Sequence, residues 1–251
     1  MNCGLNRYHC FGLREIWLKV FFESGLEALE VICGPMQYLG CVAWLRDAEL
    51  IDGRKQKTRL CGLLSGVWGR RRRLVWQVIW VNLARNSRIV RLFLSRTDWD
   101  RSYSKAELVR LLSPRGYKER TVSNAVNALV NMLKESPLGE EFGYGIVSKR
   151  GVERRVRKAP EKEALLYCVY RCGELLGREF GVVELLRRDE EVYAETPSAV
   201  FGVSSDGVVS LLLGLQRRFG EKLLRCEGLG SRSRVILAPC SPYDVLEEVL
   251  K

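Results

Sequence analysis

Between Lys118 and Glu135 the residues Val122, Ala125, Val126, Leu129, Val130 and Leu133 recur at intervals of three and four. That spacing predicts an amphipathic helix with one core-facing stripe. Pro137 and Gly139 end it. Just ahead of it, Ser104-Lys105-Ala106-Glu107 fits a capping box that starts a shorter helix from Lys105 to Leu112, broken by Ser113-Pro114-Arg115-Gly116. Just behind it, the segment from Ile146 to Lys158 alternates around Gly151 as a two-stranded hairpin would. Helix, helix, basic hairpin is the local pattern of a winged helix.

The same succession is expected twice more. Gly34-Pro35 opens a helix from about Met36 to Leu50, and Asp52-Gly53 then signals a hairpin carrying Arg54, Lys55 and Lys57. After Pro160 come a helix from Glu161 to Leu176 and a second from about Asp206 to Phe219, which Ser204 or Ser205 caps. A strand-turn-strand pattern runs from Leu224 to Pro239, and a last helix starts at Ser241-Pro242-Tyr243-Asp244. The expected fold is mainly α with small β-hairpins, built as tandem winged-helix-like units at residues 1–100, 101–159 and 160–251. A helical bundle with incidental hairpins is the competing architecture. The most apolar stretch, Leu74 to Ala84, contains Gln77 and Asn82 and is too short for a bilayer, which takes ~20 residues. It reads as a buried core helix, so no membrane is expected as a partner.

A net charge of +11 attracts phosphate, in nucleic acid or elsewhere. Asn124, Asn127 and Asn131 fall on one face of the long helix, opposite its apolar stripe, and asparagine can pair with the edge of adenine. Arg115, Lys118 and Arg120 stand at the helix start, where phosphate contacts orient a recognition helix. Lys149, Arg150, Arg154, Arg155, Arg157 and Lys158 would extend that surface along the wing. The competing reading of the same residues is a solvated helix face and a basic loop, or a docking surface for another protein.

The chemistry of an enzyme is sparse. There are nine cysteines and one histidine, and no Cys-x-x-Cys pair. A secreted disulfide framework and a zinc site are not expected. Cys168 and Cys172 share a helical face and should pack as small apolar side chains. Phosphate-loop, dinucleotide, nucleophile-elbow and zinc-protease motifs are absent from the sequence. His9 and Cys10 form the one candidate base and nucleophile, although adjacent residues seldom face each other productively. No cofactor or metal is expected, and the thiol usage fits a reducing cytoplasm.

Four segments carry a resemblance: YHCFGLREIWL from Tyr8, WLRDAELID from Trp44, LVWQVIWVNLARNSRIVRLF from Leu74 and RTVSNAVNALVNMLKESPLGEEFGYG from Arg120. They resemble the helical domain C-terminal to the catalytic domain in phosphoadenosine phosphosulfate reductase-like proteins. Related domains accompany DNA-phosphorothioation and phage-defence systems. The resemblance implies a non-catalytic accessory domain that binds nucleic acid or docks a nucleotide-binding, reductase-like partner encoded nearby. The alternative it leaves is a subunit or fragment of such a reductase that adds residues to a shared active site.

Overall fold

The computed structural model describes residues 4–186, 190–228 and 230–251. The chain divides into two compact units, Met1–Ala159 and Pro160–Lys251, where the sequence reading has three. Both are mainly helical, and each holds one three-stranded antiparallel sheet. Among the described residues no helix is long and apolar enough to cross a membrane.

The first unit opens with a 3-10 turn at Leu5–Tyr8. There follow α1 (Glu15–Ile32), α2 (Pro35–Asp47), α3 (Arg59–Asn86) and α4 (Arg88–Arg96), then β1 (Ser102–Tyr103), α5 (Lys105–Leu111), α6 (Glu119–Glu135), β2 (Ile146–Ser148) and β3 (Gly151–Glu153). α1 is interrupted at Gly25, where φ is +83°. Asp52-Gly53 builds no hairpin strand. The Asp52 carboxylate accepts from the amides of Arg54 and Gln56 at 2.8 Å and winds the chain into a tight loop closed by a single bridge, Ile51 to Lys57. Thr58 then caps α3, accepting from the Cys61 amide.

The buried run from Leu74 to Ala84 lies inside α3, which also carries Arg70 to Arg73. Its two polar residues are satisfied: Gln77 donates to the Tyr144 hydroxyl at 3.1 Å and Asn82 to the Ala48 carbonyl at 3.0 Å. Trp44, Trp76, Trp80, Phe93, Phe142 and Tyr144 fill the core around it. Each such side chain contributes roughly 1.5–3 kcal/mol by leaving water. The capping box at Ser104 and Glu107 is formed, and Val122, Ala125, Val126, Leu129 and Leu133 of α6 are buried. β3 lies between β1 and β2, so the hairpin is anchored to the body by the strand that precedes α5.

The second unit runs α7 (Lys162–Leu176), β4 (Glu179–Gly181), a 3-10 turn at Val182–Leu186, α8 (Glu190–Tyr193), α9 (Pro197–Phe201), α10 (Ser205–Phe219), β5 (Leu224–Glu227), β6 (Arg234–Leu237) and α11 (Pro242–Leu250). Ser204 caps α10, and Ser241 with Asp244 forms a capping box on α11. Here too the last strand lies between the other two, in the order β4-β6-β5. Both units therefore share one order: helix, strand, helical connection, long helix, two strands, with the first strand paired to the last. Cys168 and Cys172 are fully buried, and both thiols donate to the Glu195 carbonyl, at 3.2 and 3.3 Å. They pack inside the unit as expected of small apolar side chains.

Candidate nucleic-acid interface

α6 is covered on two sides. Its apolar stripe faces the core, and part of its asparagine row meets the N-terminal segment. Asn131 donates to the Cys10 carbonyl at 2.9 Å, and Asn124 donates to the Asn6 side chain at 3.4 Å. Gly12 lies so close that a Cβ there would sit 2.0 Å from the Met132 amide nitrogen. Asn124, Asn127 and Asn131 are all only partly exposed. The row that could have paired with base edges is taken up in part by holding residues of the same chain.

That segment is itself pinned. The Tyr8 ring stacks on Trp44 with centroids 3.6 Å apart, and the Trp44 indole donates to the Phe11 carbonyl at 2.8 Å. The Tyr8 hydroxyl donates to the Asp47 carboxylate and lies 2.7 Å from the Ser87 hydroxyl, while Arg7 pairs with Asp47 at 2.8 Å. Burial pushes the Asp47 carboxyl up to about 6, against the Tyr8 hydrogen bond and the Arg7 and Arg46 charges, which pull it down. His9 and Cys10 are consecutive left-handed residues, φ +48° and +62°, in the turn after Tyr8. Among the described residues no side-chain hydrogen bond joins His9 to Cys10, and no carboxylate orients His9. The pair forms a bend, and a nucleophile with its base is not assembled there.

The cations on and after the β2–β3 hairpin divide into three kinds. Arg154 is 1 % exposed. Its guanidinium lies 4.0 Å over the Trp99 ring and 5.4 Å over Phe93, and it donates to the Thr97 carbonyl at 2.9 Å. It is a core residue whose charge is met by π faces and carbonyls, so the expectation that it reaches a ligand does not survive its burial. Arg155, Arg157 and Lys158 are exposed but paired, with Glu153 at 2.7 Å, with Glu140, and with Glu141 at 2.8 Å. Lys149 and Arg150, at the tip between β2 and β3, are exposed, and no ion pair holds them among the described residues.

Arg115, Lys118 and Arg120 are likewise exposed and unpaired among the described residues. Lys118 is the N-cap of α6, and its side chain makes no capping hydrogen bond. The first amides of α6 and three cations thus share one end, together with the acid Glu119. Sequence reasoning missed a neighbouring group. A Cβ on Gly151 would fall 2.1 Å from the Tyr103 carbonyl oxygen and 3.0 Å from the Ser104 Cα. The β2–β3 turn therefore abuts the start of α5, which brings Lys149 and Arg150 to the same corner as exposed Lys105. Beside it, Arg101 and Arg110 flank a recess of about 330 Å³ lined also by Tyr103, Glu107 and Leu111. The signal was available only as charge: position 105 is the first residue after a cap, and nothing in the sequence placed the wing against it.

The positive charge is not shared between the units. Residues 1–159 carry 29 Lys and Arg against 15 Asp and Glu, a net +14, and residues 160–251 carry 12 against 15, a net −3. Among the described residues no group of three or more His, Cys, Asp or Glu is placed to hold a metal ion.

Fold and surface together define a mainly helical protein of two units, the first strongly basic. No family model matches the chain, and no curated protein matches it. Among solved structures, it is similar to a magnesium ion-bound SspB crystal structure, at 13 % identity and a TM-score of 0.71, covering 99 % of this chain and 87 % of that one. A second SspB crystal structure matches over the same shares at 12 % identity and a TM-score of 0.68. At such identity the likeness is one of fold alone.

Proposed function

We propose that this protein is a non-catalytic accessory protein of winged-helix-like units that binds nucleic acid through residues 1–159. The observation that carries this reading is the segregation of charge, +14 in the first unit against −3 in the second. Unpaired exposed cations at the start of α6 and the tip of the wing support it further. The shared strand order, with the last strand central, supports winged-helix-like units in both halves. The phosphoadenosine phosphosulfate reductase-like resemblance supplies the setting: the catalytic chemistry belongs to a nucleotide-binding partner, in a phosphorothioation or phage-defence system.

A second reading gives the second unit the docking role toward that partner. It is favoured by the reversed charge balance there and by the exposed apolar side chains Leu175, Val183 and Leu213.

The test is binding of a fluorescent DNA duplex to the whole chain across a salt series. The affinity should fall linearly on logarithmic axes, with a slope of about −0.9 per neutralised phosphate. Charge reversal at Lys118 and Arg120 should weaken it at least about tenfold. Arg154 is unsuited to such a test, because a carboxylate there would disrupt the core. No salt-sensitive binding at about 50 mM salt sinks the proposal.

A further inference from the structure

We infer that the first unit grips double-stranded nucleic acid by its phosphates alone, at two patches on either side of α5, without reading bases. This rests on the proposed function above and goes further, because it names the binding mode and a contact residue, Lys105, that the sequence reading did not assign.

The first patch is the corner where the wing turn meets the start of α5: Lys149, Arg150 and Lys105, joined by the close approach of Gly151 to Tyr103 and Ser104. The second is the turn into α6: Arg115, Lys118 and Arg120, with the uncapped first amides of α6. α5, whose seven residues span roughly 10 Å at 1.5 Å per residue, lies between them in the chain. A duplex offers phosphates on two strands across a major groove roughly 12 Å wide, so two separate patches suit it.

Three observations fix the mode. Two of the three asparagines of the α6 row are engaged, Asn124 with Asn6 and Asn131 with Cys10, and Gly12 packs against the helix backbone at Met132, so the row is not offered as a set to base edges. The patches offer cations, with Glu119 beside Lys118 and Arg120, and cations set on phosphates fix position and carry no sequence information. They also lack an open stacking platform of the kind single strands require. Tyr103 is buried, and Tyr117 lies under the Arg88 guanidinium at 5.0 Å with its hydroxyl bonded to that residue.

The experiment titrates the whole chain against two labelled DNA duplexes of unrelated sequence and one single strand, each of about 20 units, a length chosen to exceed the contacted span. The unaltered protein, the triple variant Lys105→Glu, Lys149→Glu, Arg150→Glu and the single variant Asn127→Ala are compared, with melting curves to establish that each is folded. The inference expects the two duplexes to bind within about twofold and the single strand at least about tenfold more weakly. It expects the triple variant to lose at least about tenfold with a shallower salt slope, and Asn127→Ala to leave affinity unchanged. More than tenfold discrimination between the duplexes, preference for the single strand, or a folded triple variant that binds like the parent overturns it while leaving nucleic-acid binding intact. Absence of binding to every probe overturns the proposed function itself.

Discussion

Asn131 on α6 donates its side-chain amide to the Cys10 carbonyl, 2.9 Å away and 121 residues earlier in the chain. A helix whose polar face looks ready for base edges uses part of that face to hold residues 6–12 of its own chain, and its exposed cations stand at its N-terminal end.

Gly12 is the tightest point of that contact. A methyl group there would overlap the Met132 backbone, which cannot step aside as a flexible side chain would. Gly12→Ala is expected to cost about 1–3 kcal/mol, the usual range for overpacking, and to free the segment before it. A lowered urea midpoint, with faster amide exchange at residues 5–12, would register both effects.

Arg154 and Arg155 are neighbours with opposite fates. Arg154→Ala removes a guanidinium stacked on Trp99 and bonded to Thr97, and should cost about 3 kcal/mol. Arg155→Ala removes a surface pair and should stay within about 0.5 kcal/mol. Equal urea midpoints for the two variants would contradict the placement of Arg154 in the core.

Asp47 gives stability a particular pH dependence. Its folded carboxyl is raised to about 6 from the usual 3.8, so the folded state takes up a proton more readily than the unfolded one. The contribution is fully present below about pH 4 and is lost as pH rises through about 6. The folding free energy of the unaltered protein relative to Asp47→Asn should therefore shift in its favour by about 2 kcal/mol between pH 7 and pH 4. Parallel stability curves for the two proteins over that range would refute it.

Thiol reactivity should follow burial. Burial drives the Cys41 and Cys168 thiols far up, and Cys61 to about 11, and Cys172 is fully enclosed. Brief alkylation at pH 8 followed by peptide mapping should leave these four unmodified in the native protein and modify them in guanidinium. Early native labelling of Cys168 would contradict its place beside Glu195.

Much of the local structure was legible. The capping boxes at Ser104 and Ser241, the stripe of α6 and the β2–β3 hairpin around Gly151 are found where spacing and turn chemistry set them, because each depends on residues a few positions apart. Asp52-Gly53 was misleading for the same local reason: the Asp52 side chain competes with strand pairing and wins two amides. The candidate interface was legible as charge and illegible as availability. Arg154 to Lys158 read as one basic run, yet one residue is buried, three are paired with acids, and Val156 stands between them.

By itself the sequence determined the mainly helical character, the approximate limits of α5, α6, α7, α10 and α11, and the strong positive balance, since those follow from periodicity, caps and composition. Tertiary structure decided which cations remain available and which face of α6 is open. Those depend on partners dozens of residues away, Asn131 with Cys10, Arg154 with Trp99 and Gly151 with Tyr103, and no short window of a chain encodes what will be packed against it.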